Sequence, residues 1–217
     1  LSGKFALAVS CSGNNSGWNL NFGQRAFTYQ HAGTTRPADT FKALCTTNLP
    51  DPTIADGSTA MDAVTYTGTI TDTSSQTVTG LDFQSDLVWI KRRDGANSHQ
   101  LVDSVRGTGK WLESSSTGAE NSSNTNGVLT AFNSNGFTLT GGSANANLCC
   151  ESGFTYAAWA WDAGTSTVSN TDGSITSSVR ANPSAGFSIV SWTASGTDND
   201  SVGHGLNAKP EFFILKS

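Results

Sequence analysis

Charge is scarce in this chain. Asp, Glu, Lys and Arg make up 13% of its 217 residues, and the formal net charge is −5 with a pI near 5.0. The basic field that draws a protein to phosphate backbones is missing, so nucleic-acid binding is not expected. Lys91, Arg92 and Arg93 form a three-residue cluster at a strand end, where solvated surface is the default. Long apolar runs are missing too, none approaching the roughly 18 residues that a membrane-spanning helix needs. The opening LSGKFALAVSCSG carries one lysine and then alternates, so Phe5–Val9 reads as a strand and not as an export signal. Four cysteines, Cys11, Cys45, Cys149 and Cys150, make no disulfide framework, since two are adjacent. Free, buried thiols are expected, which fits assembly in a reducing cytoplasm.

Catalytic patterns are lacking as well. Glycoside hydrolysis needs two carboxylates held across one bond, and Glu113, Glu120, Glu151 and Glu211 are scattered. No GxSxG elbow occurs. His31, His99 and His204 are too isolated for a zinc pair, and there is no CxxC. Asp198, Asn199 and Asp200 form a short oxygen-rich loop of the kind that binds Ca²⁺, but a solvated turn is the favoured reading. The expectation is no enzyme, no cofactor and no metal.

Low charge with modest hydrophobicity (36%) would suit disorder, were it not for 11 Phe and 6 Trp placed inside alternating runs. No 3.6-residue apolar period lasts three turns, so almost no helix is expected. Strands are predicted at Ala63–Thr69, Gln76–Gly80, Asp86–Arg92, His99–Ser104, Gly127–Phe132, Gly136–Thr140, Tyr156–Asp162 and Phe187–Thr193. Between them lie Asp94-Gly95, Asn135-Gly136, Gly141-Gly142 and Asp172-Gly173, pairs whose backbone angles suit tight turns. Many short strands at this spacing argue for an all-β fold, an antiparallel β-sandwich or jelly roll.

The chain also repeats itself. GLDFQSDLVWIK at Gly80–Lys91 is answered by GLNAKPEFFILK at Gly205–Lys216, with Asp86 matched by Glu211. Upstream, Val64–Thr67 (VTYT) is answered by Val190–Thr193 (VSWT). A strand-loop-strand unit recurring 125 residues on is an internal repeat. Leu49-Pro50-Asp51-Pro52 marks a boundary, since two prolines within three residues favour a stiff linker. Residues 1–48 read as the closing strands of one domain, 49–60 as the linker, 61–195 as a β-sandwich, and 196–217 as the start of a second copy expected to continue.

Among the aromatics, Trp159 and Trp161 share one face of a strand, and Tyr156, Ala158 and Ala160 share the other. The tryptophans are either a sugar-stacking platform or the inner wall of the sandwich, and the inner wall is favoured. Core is expected for Trp89 and Trp192 too. Trp111 stands in TGKWLES between a Gly-rich turn and a long polar loop, so it is the tryptophan best placed to be an exposed glycan contact.

LVWIKRRDGANSHQLVDSVRGTGKWLESSSTGAE, NGFTLTG, FTYAAWAWDAG and SVRANPSAGFSIVSW together resemble a domain of tailed-phage virion proteins, of marine and cyanophage type, frequent in tail fibres. The resemblance covers Ala63–Ser217. WNLNFGQRAFTY and FKALCTTNLPDPTI resemble the end of a SPRY or concanavalin-A-like domain, although Thr40 replaces a common glycine and Cys45 a polar residue. The resemblance implies a lectin-like appendage on the virion surface, a homo-oligomer (most often a trimer) contacting other virion proteins and host-surface glycan. A purely structural spacer, capsid decoration or head fibre is the alternative, and a polysaccharide-degrading enzyme comes third. It gives no catalytic residues to carry over, and no membrane insertion is expected, since no apolar run is long enough.

Overall fold

The chain divides between Pro52 and Thr53. The computed structural model describes residues 54–216. The strands expected near the N-terminus, with Cys11, Cys45 and His31, lie outside the described residues.

A 3-10 turn, Gly57–Thr59, is capped by Asp56, whose carboxylate accepts from the Ser58 amide at 3.0 Å. Among the described residues ten strands follow: β1 (Met61–Thr67), β2 (Ser75–Thr79), β3 (Leu87–Arg92), β4 (Gln100–Asp103), β5 (Val128–Asn133), β6 (Gly136–Thr140), β7 (Thr155–Trp161), β8 (Thr167–Asn170), β9 (Ser177–Asn182) and β10 (Phe187–Trp192). They form three antiparallel sheets, ordered β1-β7-β3-β4, β2-β6-β5 and β10-β9-β8. The fold is all-β, as the turn spacing predicts. Among the described residues no helix is long and apolar enough to cross a membrane.

The first two sheets enclose the core. From the four-stranded sheet come Val88, Ile90, Val102, Tyr156, Ala158 and Ala160; from the three-stranded sheet come Val78, Leu129, Phe137 and Leu139. Tyr66 stacks on its register partner Tyr156 (5.3 Å) and meets Phe137 edge-on (6.2 Å), so rings span the gap between layers. Sheets pack about 10 Å apart, and rings of that size leave room only for methyl groups beside them. That is why Ala158 and Ala160 face inward.

This reverses the expected orientation of β7. Trp159 and Trp161 lie half-buried on the outer face, while Tyr156, Ala158 and Ala160 are fully buried. Trp89, the register partner of Trp159, is likewise outside and half-buried, and Trp192 is 38% exposed. None of these four tryptophans is in the core. Period-two alternation separates the faces of a strand but does not say which is inside when both are apolar.

A bulge sets the face of β5. The register slips between Leu129 and Ala131, leaving Thr130 as the extra residue, so Leu129 and Phe132 both pair with core residues, Leu139 and Phe137. On the outer side, hydroxyls form a ladder: Ser75 with Thr140 (2.8 Å), Thr77 with Thr138 (3.2 Å) and Thr130 with Thr140 (2.9 Å).

The third sheet contains β8 and β9, which the sequence reading missed. It is tied to the sandwich at one end. Arg180 pairs with fully buried Asp86, Asn182 Nδ2 donates to Asp162 at 2.9 Å, and Phe187 stacks on Trp161 at 6.0 Å. The two glycines that the sequence aligns, Gly80 (φ +115°) and Gly205 (φ +70°), both take the left-handed region that favours glycine. A side chain at 205 would also come within 2.8 Å of Val179 Cγ1, so the second turn lies close over β9. After that the copies diverge. LVWIK forms β3, whereas Phe212–Leu215 form no strand and are 63–80% exposed.

Candidate functional site

The loops beside β3 and β4 surround an open groove of about 540 Å³. Three segments build it: residues 96–98, residues 111–126, and Asn147 with Leu148. The long polar run after Trp111 is ordered by folding back on itself. Trp111 and Asn121 exchange backbone hydrogen bonds, both at 2.9 Å, and Leu101 and Leu112 form a second bridge. The arm 124–126 is then stitched to the 143–148 turn through Ser143 N to Asn124 O (3.0 Å), Ala144 N to Thr125 O (2.9 Å) and Leu148 N to Asn126 O (3.2 Å). Buried Gln100 donates from Nε2 to the Gly127 carbonyl at 2.9 Å, anchoring the end of the arm to β4.

Trp111 is 2% exposed, so the expectation of an exposed contact is corrected: the indole lines the groove from a buried position and joins the core. Its polar flanks suggested a surface site, but the backbone pair with Asn121 folds the polar loop over it. Its Nε1 is buried without a hydrogen-bond partner among the described residues.

Around it the lining is polar and half-buried: Asn97, Glu113, Asn121, Asn126 and Asn147. Asn97 Oδ1 accepts from Arg92 Nη1 at 3.2 Å, and Asn121 Oδ1 from the Ser123 amide at 2.8 Å. The Glu113 carboxylate and the side-chain amides of Asn126 and Asn147 make no hydrogen bond to protein among the described residues. The groove thus offers uncharged donors and acceptors plus one carboxylate. That chemistry suits a neutral ligand rich in hydroxyls better than an anion or a large apolar molecule. Sequence reasoning missed these residues. Their signal was the Asn-, Ser- and Thr-rich composition of the loop at Ser114–Gly127.

A family model described as a domain of unknown function, DUF7483, matches residues 56–217. The chain belongs to the DUF7483 family. No curated protein and no solved structure matches it.

The DUF7483 domain places its other sequence-selected residues elsewhere. Trp89 and Trp159 meet edge-on at 6.1 Å on the outer face, and Trp89 Nε1 donates to His99 Nδ1 at 2.9 Å. Burial, then the charge of Lys91, pushes the His99 pKa down from 6.5. The basic cluster is not simply solvated surface. Lys91 Nζ donates to the Arg92 and Gly95 carbonyls, and the Arg92 guanidinium sits over the Phe154 ring at 3.3 Å. His204 Nδ1 accepts from the Leu206 amide at 3.1 Å inside its turn. Cys149 and Cys150 are buried free thiols, and the hydrogen bond with the Cys150 thiol, then burial, pushes the Cys149 pKa well up. Asp200 is engaged by the Ser195, Ser174 and Thr197 hydroxyls, the Ser195 bond being the largest influence holding its pKa down. Among the described residues no three His, Cys, Asp or Glu side chains converge to hold a metal.

Proposed function

We propose that this chain is a virion appendage protein of a tailed phage and that its DUF7483 sandwich contacts host-surface glycan through the groove. The observation that carries the binding reading is the lining itself. Glu113, Asn126 and Asn147 offer hydrogen-bonding groups not used among the described residues, beside a buried tryptophan. Sugar hydroxyls pair with such amide and carboxylate groups, and the rigid, backbone-stitched arm limits the ordering cost of binding. The virion assignment rests on the resemblance of Ala63–Ser217 to phage appendage domains. Homo-oligomerisation, with a trimer as the expectation, belongs to the same reading. Glu113 is the one carboxylate in the lining, whereas glycoside hydrolysis in its usual form uses two, which favours binding over cleavage.

The test is binding of the purified protein to host cells in competition with purified host-surface polysaccharide. Competition is expected, with a Glu113→Ala, Asn126→Ala double variant losing most of the cell binding. Failure of the polysaccharide to compete at any concentration overturns the reading. A purely structural spacer is the second reading, favoured by the exposed apolar segment Phe212–Leu215. It requires that deleting residues 63–195 shorten the appendage without altering host range.

A further inference from the structure

Charge is distributed unevenly around the groove. Its lining contains one carboxylate, Glu113, and no lysine, arginine or histidine. The cations on the neighbouring strands and loops are engaged elsewhere. Arg92 pairs with Asp94 at 2.7 Å, Lys91 Nζ donates to the Arg92 and Gly95 carbonyls, and Arg106 pairs with Asp103 and Glu120. Lys110 lies 3.8 Å from Glu120, and Lys216 donates to the carbonyl of Gly118, which is outside the lining. The position of Glu113 is set by the backbone. Leu112 exchanges hydrogen bonds with Leu101 at 2.9 and 3.0 Å, which holds this stretch extended, and residues two apart in an extended stretch share a side. Half-buried Glu113 therefore stands on the same wall as Trp111, where the apolar indole leaves its charge less screened than on open surface.

We propose that the groove selects sugars by charge: Glu113 favours a sugar bearing a protonated amino group, takes a neutral sugar less tightly and excludes an acidic one. The proposal rests on the reading of the groove as a glycan site and adds the class of sugar it takes. An ammonium group only donates and an ionised carboxylate only accepts, and a hydrogen bond between the two is roughly twice as strong as one between neutral groups. The side-chain amides of Asn126 and Asn147 both donate and accept, so they suit the hydroxyls on the rest of the sugar. A carboxylate or phosphate on the ligand would face Glu113 with no cation in the lining to offset the repulsion, and the net charge of −5 works in the same direction.

The experiment compares three β-1,4-linked tetrasaccharides of one backbone: cellotetraose, the glucosamine tetramer and the glucuronic acid tetramer. Each is titrated calorimetrically into the 217-residue protein at mildly acidic pH, where the amines are protonated. The glucosamine tetramer is expected to bind about tenfold more tightly than cellotetraose, and the glucuronic acid tetramer not measurably. Added salt should narrow the first ratio, since screening weakens the charge contact. In Glu113→Gln the ratio should fall to about one, because the amide keeps the shape and loses the charge. Equal affinity of the native protein for the amine and neutral tetramers overturns the proposal, as does failure of the amine tetramer to bind. So does a preference that persists in Glu113→Gln, which would assign it to unspecific attraction by an acidic protein. Competition by host-surface polysaccharide for cell binding is measured in parallel. Competition without the charge order leaves the glycan reading standing and removes this inference; the charge order without competition does the reverse.

Discussion

Arg180 Nε lies 2.8 Å from Asp86 Oδ1, and this ion pair joins the β8-β9-β10 sheet to the start of β3. The Nε–H itself donates to the Gly164 carbonyl at 3.0 Å, so Oδ1 is held by charge and not by a hydrogen bond, while Asp86 Oδ2 accepts from the Ala163 amide at 2.9 Å. The Asp86 side chain is 0% exposed and that of Arg180 12%. Removing one member of such a pair strands the other charge in a medium of low polarity. Arg180→Met is therefore expected to lose about 3–5 kcal/mol of unfolding free energy in urea denaturation. A loss below about 1 kcal/mol would show that the sheet is held by Trp161–Phe187 and Asn182–Asp162 instead.

The same carboxylate makes stability depend on pH. Burial raises the Asp86 pKa above its ordinary 3.8, against the opposing pull of the Ala163 amide, Arg180 and Ser104. The folded state then holds this proton more tightly than the unfolded chain does. Its contribution to stability is fully present below pH 3.8 and is lost as pH rises through the folded-state value. Denaturation midpoints measured from pH 3 upward should show this falling component in the native protein and lack it in Asp86→Asn. An unchanged pH profile in the variant would contradict the assignment.

His99 titrates with the opposite sign. Its lowered pKa means that the folded state favours the neutral ring, whose Nδ1 accepts from Trp89. The stabilisation is complete above pH 6.5 and is lost as pH falls through the depressed folded-state value. Tryptophan fluorescence followed from pH 8 to 4 should change with a midpoint below 6.5, and His99→Phe should abolish that transition. A midpoint above 6.5 would contradict it.

Gln100 couples the core to the groove. Gln100→Leu removes the donor to the Gly127 carbonyl but also removes an unpaired buried acceptor, Oε1. The two effects partly offset, and a loss of about 1 kcal/mol is expected. Gln100→Ala adds a cavity and is expected to cost about 3 kcal/mol. If the groove binds glycan as proposed, both variants should bind it more weakly, because the arm ending at Gly127 is released. A Gln100→Leu protein with native affinity would separate the arm from binding.

Legibility in the sequence followed local chemistry. Gly136–Thr140 is read without error because Asn135-Gly136 fixes the turn and Phe137 and Leu139 alternate strongly with threonines. Strands β8 and β9 escape because TVSN and SSVRAN are mostly small or polar, each with one strongly apolar side chain, so alternation has almost no amplitude. The faces of β7 are legible as two sets, but their assignment depends on Tyr66 and Phe137, which arrive from other strands. The groove is the least legible element. Asn97, Glu113, Asn126 and Asn147 converge only through loop pairing, and nothing in their spacing announces it.

The most direct measurement is an amide chemical-shift titration of the isotopically labelled protein with oligosaccharides released from host-surface polysaccharide. The account predicts saturable shifts concentrated at Asn97, Asn121, Asn126 and Asn147 and at the Trp111 indole. The Glu113→Ala, Asn126→Ala double variant should require far more ligand for the same shifts. Shifts concentrated instead on the outer aromatic face at Trp89 and Trp159, or no shifts at saturating oligosaccharide, would contradict the groove as the glycan site.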